Sequence, residues 1–368
     1  MTTLPSWEPA PVLLPPNSIE HQYFGGDLIA ALRGGPGGPN RPEEWLGSAT
    51  TRFGADPEAD GAGLTRIDGV PLRDLLDAAP EEWLGAGHVE RYGTSPALLV
   101  KLLHAGQRLP VHLHPTRNFA TRHLDCPFGK SEAWLVLDRD RSDTTVWVGT
   151  NRPVERAHWE ELMAAQDSDA MLELLNPIIV EPGDGVFVPA GSPHAIGEGL
   201  LVLELQEPTD FSILLEWEGF EFDGPNDGHL DLGFDTALGA INPQPFDAGH
   251  LDELTRRATA AIEGQTIGRA LPAAADPYFE LHRCSAMTDS VTLPTSFGVL
   301  LVTGGSGTMN WGDGGGTEVD TAVRRGEAYV VPHAAGPVTL SGRPSGHLTA
   351  YFATPPRPDI DPPVEFDA

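Results

Sequence analysis

The chain has 368 residues, 40% hydrophobic and 21% charged, a composition that buries a substantial core and excludes a disordered polymer. Lys plus Arg is 23 against 53 for Asp plus Glu, giving a formal charge of −30, a field that repels nucleic-acid phosphates and anionic membrane surfaces. Cys126 and Cys284 are no disulfide framework, and no run reaches the roughly 18 apolar residues that span a bilayer.

The 42 glycines and 35 prolines follow no period, and in a hydrophobic chain they predict many turns between short strands. Residues 1–20 are Pro-rich and read as extended, with no basic n-region or long apolar run, so a cytoplasmic protein is expected. Residues 34–44 form a Gly/Pro loop, 70–77 a short helix, and the apolar run 97–105 fits helix or strand. Val111–His114 alternates as a strand does, and 131–138 and 144–150 carry the β-branched and aromatic residues of strands. Residues 154–176 have helical spacing with an acidic face; strands follow at 177–181, 185–190 and 200–207. A second helix is expected over 249–263. Beyond it, short strands recur with Gly-rich turns, the pitch of a sandwich or barrel. The predicted architecture is mainly β: two β-barrel units with inserted short helices, residues 1–273 and 274–368, joined near Ala273–Asp276.

Four residues carry the chemistry. His112 and His114, two apart on a strand, share a face. Glu132 begins the next strand, and His194 follows the turn Gly183-x5-Pro189-x-Gly191-x2-His194. Three imidazoles and a carboxylate suit one borderline divalent metal, with Zn2+, Mn2+, Fe2+, Co2+ and Ni2+ all accepted by such a donor set.

These two segments resemble the paired signatures of cupins. The long interval from His114 to Glu132 and the Gly129-Lys130-Ser131-Glu132-Ala133-Trp134 run resemble the class I mannose-6-phosphate isomerases in particular. GDGVFVPAGSPHAIGEGLLVLELQEPTD (183–210) is similar to the later strands of the same family. Weaker likenesses lie in YFGGDLIAALRG, the Glu44-Trp45 pair, HLDLGFDTALGAI and the segment from GSGTMNW to RRGEAYVVP. The resemblance implies two cupin (jelly-roll) units, the second metal-free, and zinc held by His112, His114, Glu132 and His194. His112 stands where the family has glutamine.

The same resemblance implies roles for three further residues. Lys130, on the face of Glu132, would stabilise charge on oxygen. Glu204 would move the proton. Lys101 would lie near the substrate's phosphate. These two are the chain's only lysines; its other 21 basic residues are arginine. Two positions depart from the family: Leu214 where it has arginine, and Pro110 where it has serine. In the family both residues handle phosphate and transition-state charge, so their loss counts against a phosphorylated substrate unless another arginine, such as Arg117 or Arg122 of the insertion, substitutes. The implied activity is metal-dependent aldose–ketose isomerisation, a proton passing between C1 and C2 through a cis-enediol. The alternatives are isomerisation of another, unphosphorylated sugar, or a metal cupin that binds sugar without turnover. The expected partner is a small sugar or sugar phosphate; monomer and homo-oligomer both remain open.

Overall fold

The computed structural model describes residues 9–35, 37–258, 267–287, 289–312, 319–343 and 347–366. It is mainly β, as expected, and every strand pairing within its four large sheets is antiparallel. The first unit sets a seven-stranded sheet against a five-stranded one. The larger runs in the order Thr255–Arg256, Gly185–Val188, Glu132–Arg139, Leu200–Gln206, Leu99–His104, Glu43–Leu46, Ser18–Ile19. The smaller runs Leu175–Ile179, Thr145–Thr150, His194–Ile196, His112–Leu113, Ile213–Leu214. The other two sheets have six and four strands; the six-stranded one takes Val12–Leu13 and Ile267–Arg269 from the chain before residue 274 and its other four strands from beyond it. Among the described residues neither unit closes into a barrel; each is a pair of open sheets.

The two units share one core. Leu46, Val100 and Leu102 of the seven-stranded sheet cluster with Val299, Leu301, Val330 and Ala353 of the six-stranded one. The N-terminal strand Val12–Leu13 pairs with Tyr329–Val330 of the second unit. The large sheet is therefore covered on both faces, which explains why the apolar run near 97–105 is a strand. Leu99–His104 is buried at every position, as Leu200–Gln206 is. A strand wet on one face would alternate instead.

Two helical expectations change. The segment 154–176 forms two helices, Arg156–Ala165 and Ser168–Glu173, broken at Gln166, whose backbone is left-handed (φ 49°). The Gln166 side chain explains the break. Its amide donates to the Leu215 carbonyl (3.2 Å) and its Oε1 accepts from Trp217 N (2.6 Å) and Glu218 N (2.9 Å), tying the corner to the sheet. The helix expected over 249–263 covers only Ala248–Glu253. Thr255–Arg256 leave it to pair with Gly185–Val186, held by Asp184, which accepts from Ala258 N and Arg257 Nη1, both at 2.8 Å. Edge pairing and a buried carboxylate thus override helical propensity, a weak prior against tertiary contacts. Residues 259–263 of that expectation lie outside the described residues.

One buried carboxylate anchors the start of the histidine strand. Glu216, fully buried, receives two hydrogen bonds from Arg108 (2.5 and 2.7 Å), one from Val111 N (2.8 Å) and one from Ser168 Oγ (2.5 Å). Removing it strands a guanidinium and a buried amide. Glu216→Ala is expected to lower stability by about 3–5 kcal/mol, the scale for breaking a buried pair, read from urea unfolding; a loss under about 1 kcal/mol, the surface-pair scale, would remove Glu216 as the anchor.

Candidate metal centre and active site

The four expected donors meet between the two sheets of the first unit. His112 and His194 are directly opposite on paired strands. Glu132 comes from the larger sheet and His114 from just past the histidine strand. The turn before His194 is fastened to this group: Gly191 N donates to the His114 carbonyl at 2.7 Å. Gly191 has φ 83°, and a Cβ there would fall 2.6 Å from the Phe366 ring, so both backbone and space demand glycine. The long interval between His114 and Glu132 holds a helix, Arg117–His123, capped by Thr116, and then folds back. Lys130 N donates to the Pro115 carbonyl (3.0 Å), and Gly129 packs so closely that a Cβ would meet the Pro115 oxygen at 2.6 Å. That return brings Lys130 beside His114.

All four donor side chains are buried. His112 Nδ1 lies 2.8 Å from the Pro110 carbonyl, His114 Nδ1 2.7 Å from that of Phe211, and His194 Nδ1 2.8 Å from that of Ser192. A carbonyl can only accept, so each Nδ1 carries the proton and each Nε2 keeps a lone pair. Two of those lone pairs face Glu132: His114 Nε2 is 2.9 Å from Oε2 and His194 Nε2 3.3 Å from Oε1. Acceptor facing acceptor in a buried space is satisfied by a cation. His194 Nε2 and Glu132 Oε2 have no hydrogen-bond partner, and the three imidazoles offer ligand atoms within 4.8 Å of one another. Backbone carbonyls that fix the tautomer of ligating histidines are the usual outer support of a metal site.

The electrostatics agree. Burial, then Lys130, push the His114 imidazolium down to about 3, and burial with His194 depresses His112. Burial alone would raise Glu132, but Lys130 and His114 hold it well below the usual carboxylate range. His112 and His114 are therefore neutral imidazoles beside an ionised carboxylate. Lys130 Nζ lies 2.8 Å from His114 Nε2 and 3.1 Å from Glu132 Oε2.

The other expected residues line the same space, a cavity of about 390 Å³ bordered by His112, Glu132, Lys130, Lys101 and Glu204. Glu204 sits between Lys101 and Trp134 on adjacent strands. Burial, then Glu132, raise its carboxyl to about 8, and a long 3.4 Å bond from Trp134 Nε1 is its contact with the wall. Burial would lower Lys101, but Glu43, Asp210 and Glu204 hold its ammonium charged; Nζ is 3.4 Å from Glu43, 3.7 Å from Asp210 and 4.5 Å above the Trp45 ring.

Glu43 was not anticipated. It accepts from Tyr23 OH (2.6 Å) and Trp45 Nε1 (2.7 Å) and lies 3.3 Å from His21 Nε2. The Glu44-Trp45 pair was the signal, but it is Glu43, two before the tryptophan, that faces inward; Glu44 pairs with Arg33 (2.9 Å). Neither Arg117 nor Arg122 borders the cavity. Arg117 is committed to Glu207 (2.5 Å) beneath the Tyr278 ring. The arginine that does border it is Arg52, and Leu214 and Pro110 form part of the wall.

Comparison with known proteins gives the class. Over 113 residues, 31% of this chain, it is 38% identical to mannose-6-phosphate isomerase ManA of Bacillus subtilis, of which the match covers 34%. Over 163 residues, 43% of the chain, it is 32% identical to a mannose-6-phosphate isomerase of Streptococcus mutans, covering 46% of that protein. The matches thus span less than half the length of these curated relatives. Among solved structures, mannose 6-phosphate isomerase of Bacillus subtilis superposes with a TM-score of 0.71 at 22% identity, covering 94% of this chain and 99% of that one. The apo form of the Salmonella typhimurium enzyme gives 0.68 at 17% identity, covering 95% and 100%. No family model matches the chain. The protein therefore has the cupin fold of the mannose-6-phosphate isomerases and is related to them in sequence, as its motifs implied. Among the described residues, no helix is long and apolar enough to cross a membrane.

Purified protein is expected to carry about one divalent ion per chain, since one such donor group is present among the described residues. His194→Ala should empty it by elemental analysis; full occupancy in that variant would remove His194 from the donor set.

Proposed function

We propose that the protein is a metal-dependent aldose–ketose isomerase of the mannose-6-phosphate isomerase type, with residues 1–273 as its catalytic unit. The observation that carries this reading is the convergence on one cavity of two metal donors, His112 and Glu132, with a buried ammonium, Lys130, and a buried carboxyl of raised pKa, Glu204. The related sequences named as mannose-6-phosphate isomerases support it. His112, His114, Glu132 and His194 would hold the ion, zinc being the family's metal. When bound, it supplies Lewis acidity toward sugar oxygens.

The chain's own residues then divide the work. Glu204 takes the proton from C2 of the open-chain aldose; the released pair forms the C1–C2 double bond and the carbonyl pair moves to O1. Lys130, whose Nζ lies 3.1 Å from Glu132 Oε2, stabilises the negative charge on oxygen. Glu204 returns its proton to C1, where the C1–C2 π pair takes it up; the O2 hydroxyl proton passes to O1, and the O2–H pair forms the carbonyl at C2. A carboxyl whose pKa lies near the working pH can both accept and return a proton, which an ordinary surface glutamate does less well. Lys101, fixed by Glu43, Asp210 and the Trp45 ring, would orient the sugar rather than titrate.

The test is a panel of aldoses and aldose phosphates assayed for ketose product, with metal content measured on the same sample. Absence of ketose from every member in the metal-loaded protein would leave a sugar binder and end the isomerase reading. Lys130→Met is expected to cut turnover by roughly 10²-fold or more, the scale for one oxyanion donor, with melting temperature and metal content retained. Glu204→Gln is expected to lose turnover while retaining sugar binding, read by calorimetry; unaltered turnover would return Glu204 to a packing role.

A further inference from the structure

The cavity is buried at the metal donors and open at the other end, where Phe53, Asp227 and Asp231 are exposed. At its base Glu132, 1% exposed, has Lys130 Nζ 3.1 Å from Oε2 and the Nε2 atoms of His114 and His194 within 3.3 Å of its carboxylate. The mouth is chemically different. The lining there includes the apolar Phe222 and Leu230, the carboxylates of Asp210, Asp227 and Asp231, and the guanidinium of Arg52. The cavity's two ammonium groups are already engaged, Lys101 by Glu43 and Asp210 and Lys130 by Glu132.

The acidic lip is built into the backbone. Leu230 and Asp231 are consecutive non-glycine residues in the left-handed region, with φ of 54° and 61°. That conformation is costly for residues with a Cβ and persists where surrounding contacts impose it. The segment is fastened to the wall, for Leu214 N donates to the Gly228 carbonyl at 2.8 Å. The strained turn thus sets Leu230 and Asp231 on the lining of the cavity.

We propose that this site takes an uncharged aldose, and that Asp227 and Asp231 are specificity residues that accept hydrogen bonds from its distal hydroxyls and repel an anionic substituent there. The proposal rests on the isomerase reading above. Sugar hydroxyls donate to carboxylates, whereas a phosphate brings only acceptors at neutral pH. Phosphate recognition normally uses a bidentate guanidinium or several converging donors. Here the lining beside His112 holds Leu214, its partner across the strands, and Pro110, and proline lacks even an amide hydrogen. Arg52, half-buried on the same cavity with an unpartnered Nε, is the group that would hold an anion if the proposal is wrong.

The experiment uses the metal-loaded full chain. Measured under one metal condition, kcat/KM for mannose and free pentoses is expected to exceed that for mannose 6-phosphate by at least tenfold; a wide lead for mannose 6-phosphate would overturn the proposal and leave the isomerase reading standing. Calorimetric binding of mannitol and mannitol 1-phosphate decides independently of turnover. Tighter mannitol binding without any ketose formation would support the uncharged ligand and sink the isomerase reading; tighter binding of the phosphate would overturn the proposal. The double variant Asp227→Asn/Asp231→Asn should move the phosphorylated-to-free preference toward phosphate by tenfold or more at low salt, with the shift shrinking as salt rises. An unchanged preference in a folded variant removes these carboxylates from specificity. Arg52→Gln should lower the free and phosphorylated sugars alike; selective loss of the phosphorylated one makes Arg52 an anion anchor and counts against the proposal.

Discussion

A buried, ionised Glu132 is the constraint around which the first unit is arranged. Taking a lone carboxylate out of water costs several kcal/mol, and the cost is offset only by charge and hydrogen bonds of good geometry. Lys130 supplies one compensating charge from the same strand face, and the lone pairs of His114 and His194 turned toward Glu132 leave room for a second, from a cation. The surrounding architecture fixes these groups. Backbone bonds from Gly191 to His114 and from Lys130 to Pro115 tie the two loops together, and Glu216 clamps the start of the histidine strand. Imidazoles whose outer nitrogens are held by carbonyls cannot turn their lone pairs away, so the centre is preorganised for positive charge.

The same principle extends along the inner face of the large sheet. Trp45, Lys101, Glu204 and Trp134 lie in register across four adjacent strands, a row in which two charged residues are flanked by two tryptophans. Glu43 stands behind Lys101 and is itself satisfied by Tyr23, Trp45 and His21. Glu204 has no comparable partner, and its raised carboxyl follows from that difference. Two glutamates with similar burial are driven apart, Glu43 below the usual range and Glu204 above it, because one has an adjacent ammonium and two hydrogen-bond donors and the other faces Glu132. The second unit contributes by covering the opposite face of this sheet, so the row lies in a double-sided core rather than on a flexible outer layer.

Much of this was legible in the sequence because strand alternation and short spacings are local. His112 and His114 two apart, Lys130 and Glu132 two apart, and the glycine turn before His194 each announce a shared face or a fixed corner. The mainly β class was legible for the same reason. Features set by distant contacts were not. The helix over 249–263 stopped at Glu253 because Asp184 captured the segment that followed, and nothing local marks that capture. Glu43 sits beside Glu44 in a strand, and which of the two faces the cavity depends on register against Leu102 and Leu103. Arg52, Asp227 and Asp231 come from loops more than 170 residues apart in sequence, and only the folded cavity brings them to one rim.

The placement of the two lysines follows from the same physics. A guanidinium is a broad planar fork suited to bidentate partners, while an ammonium is a compact charge with three donors. The floor of this cavity has room for a point charge between a carboxylate and an imidazole, as at Lys130, or between two carboxylates and an indole face, as at Lys101. Arginine serves elsewhere on buried carboxylates, as Arg108 does on Glu216, Arg117 on Glu207 and Arg33 on Glu44. In a chain that otherwise uses arginine for positive charge, lysine remains at two buried sites on one cavity. A chain of net charge −30 therefore keeps its compact cations where negative charge is buried and where reacting oxygens would gather.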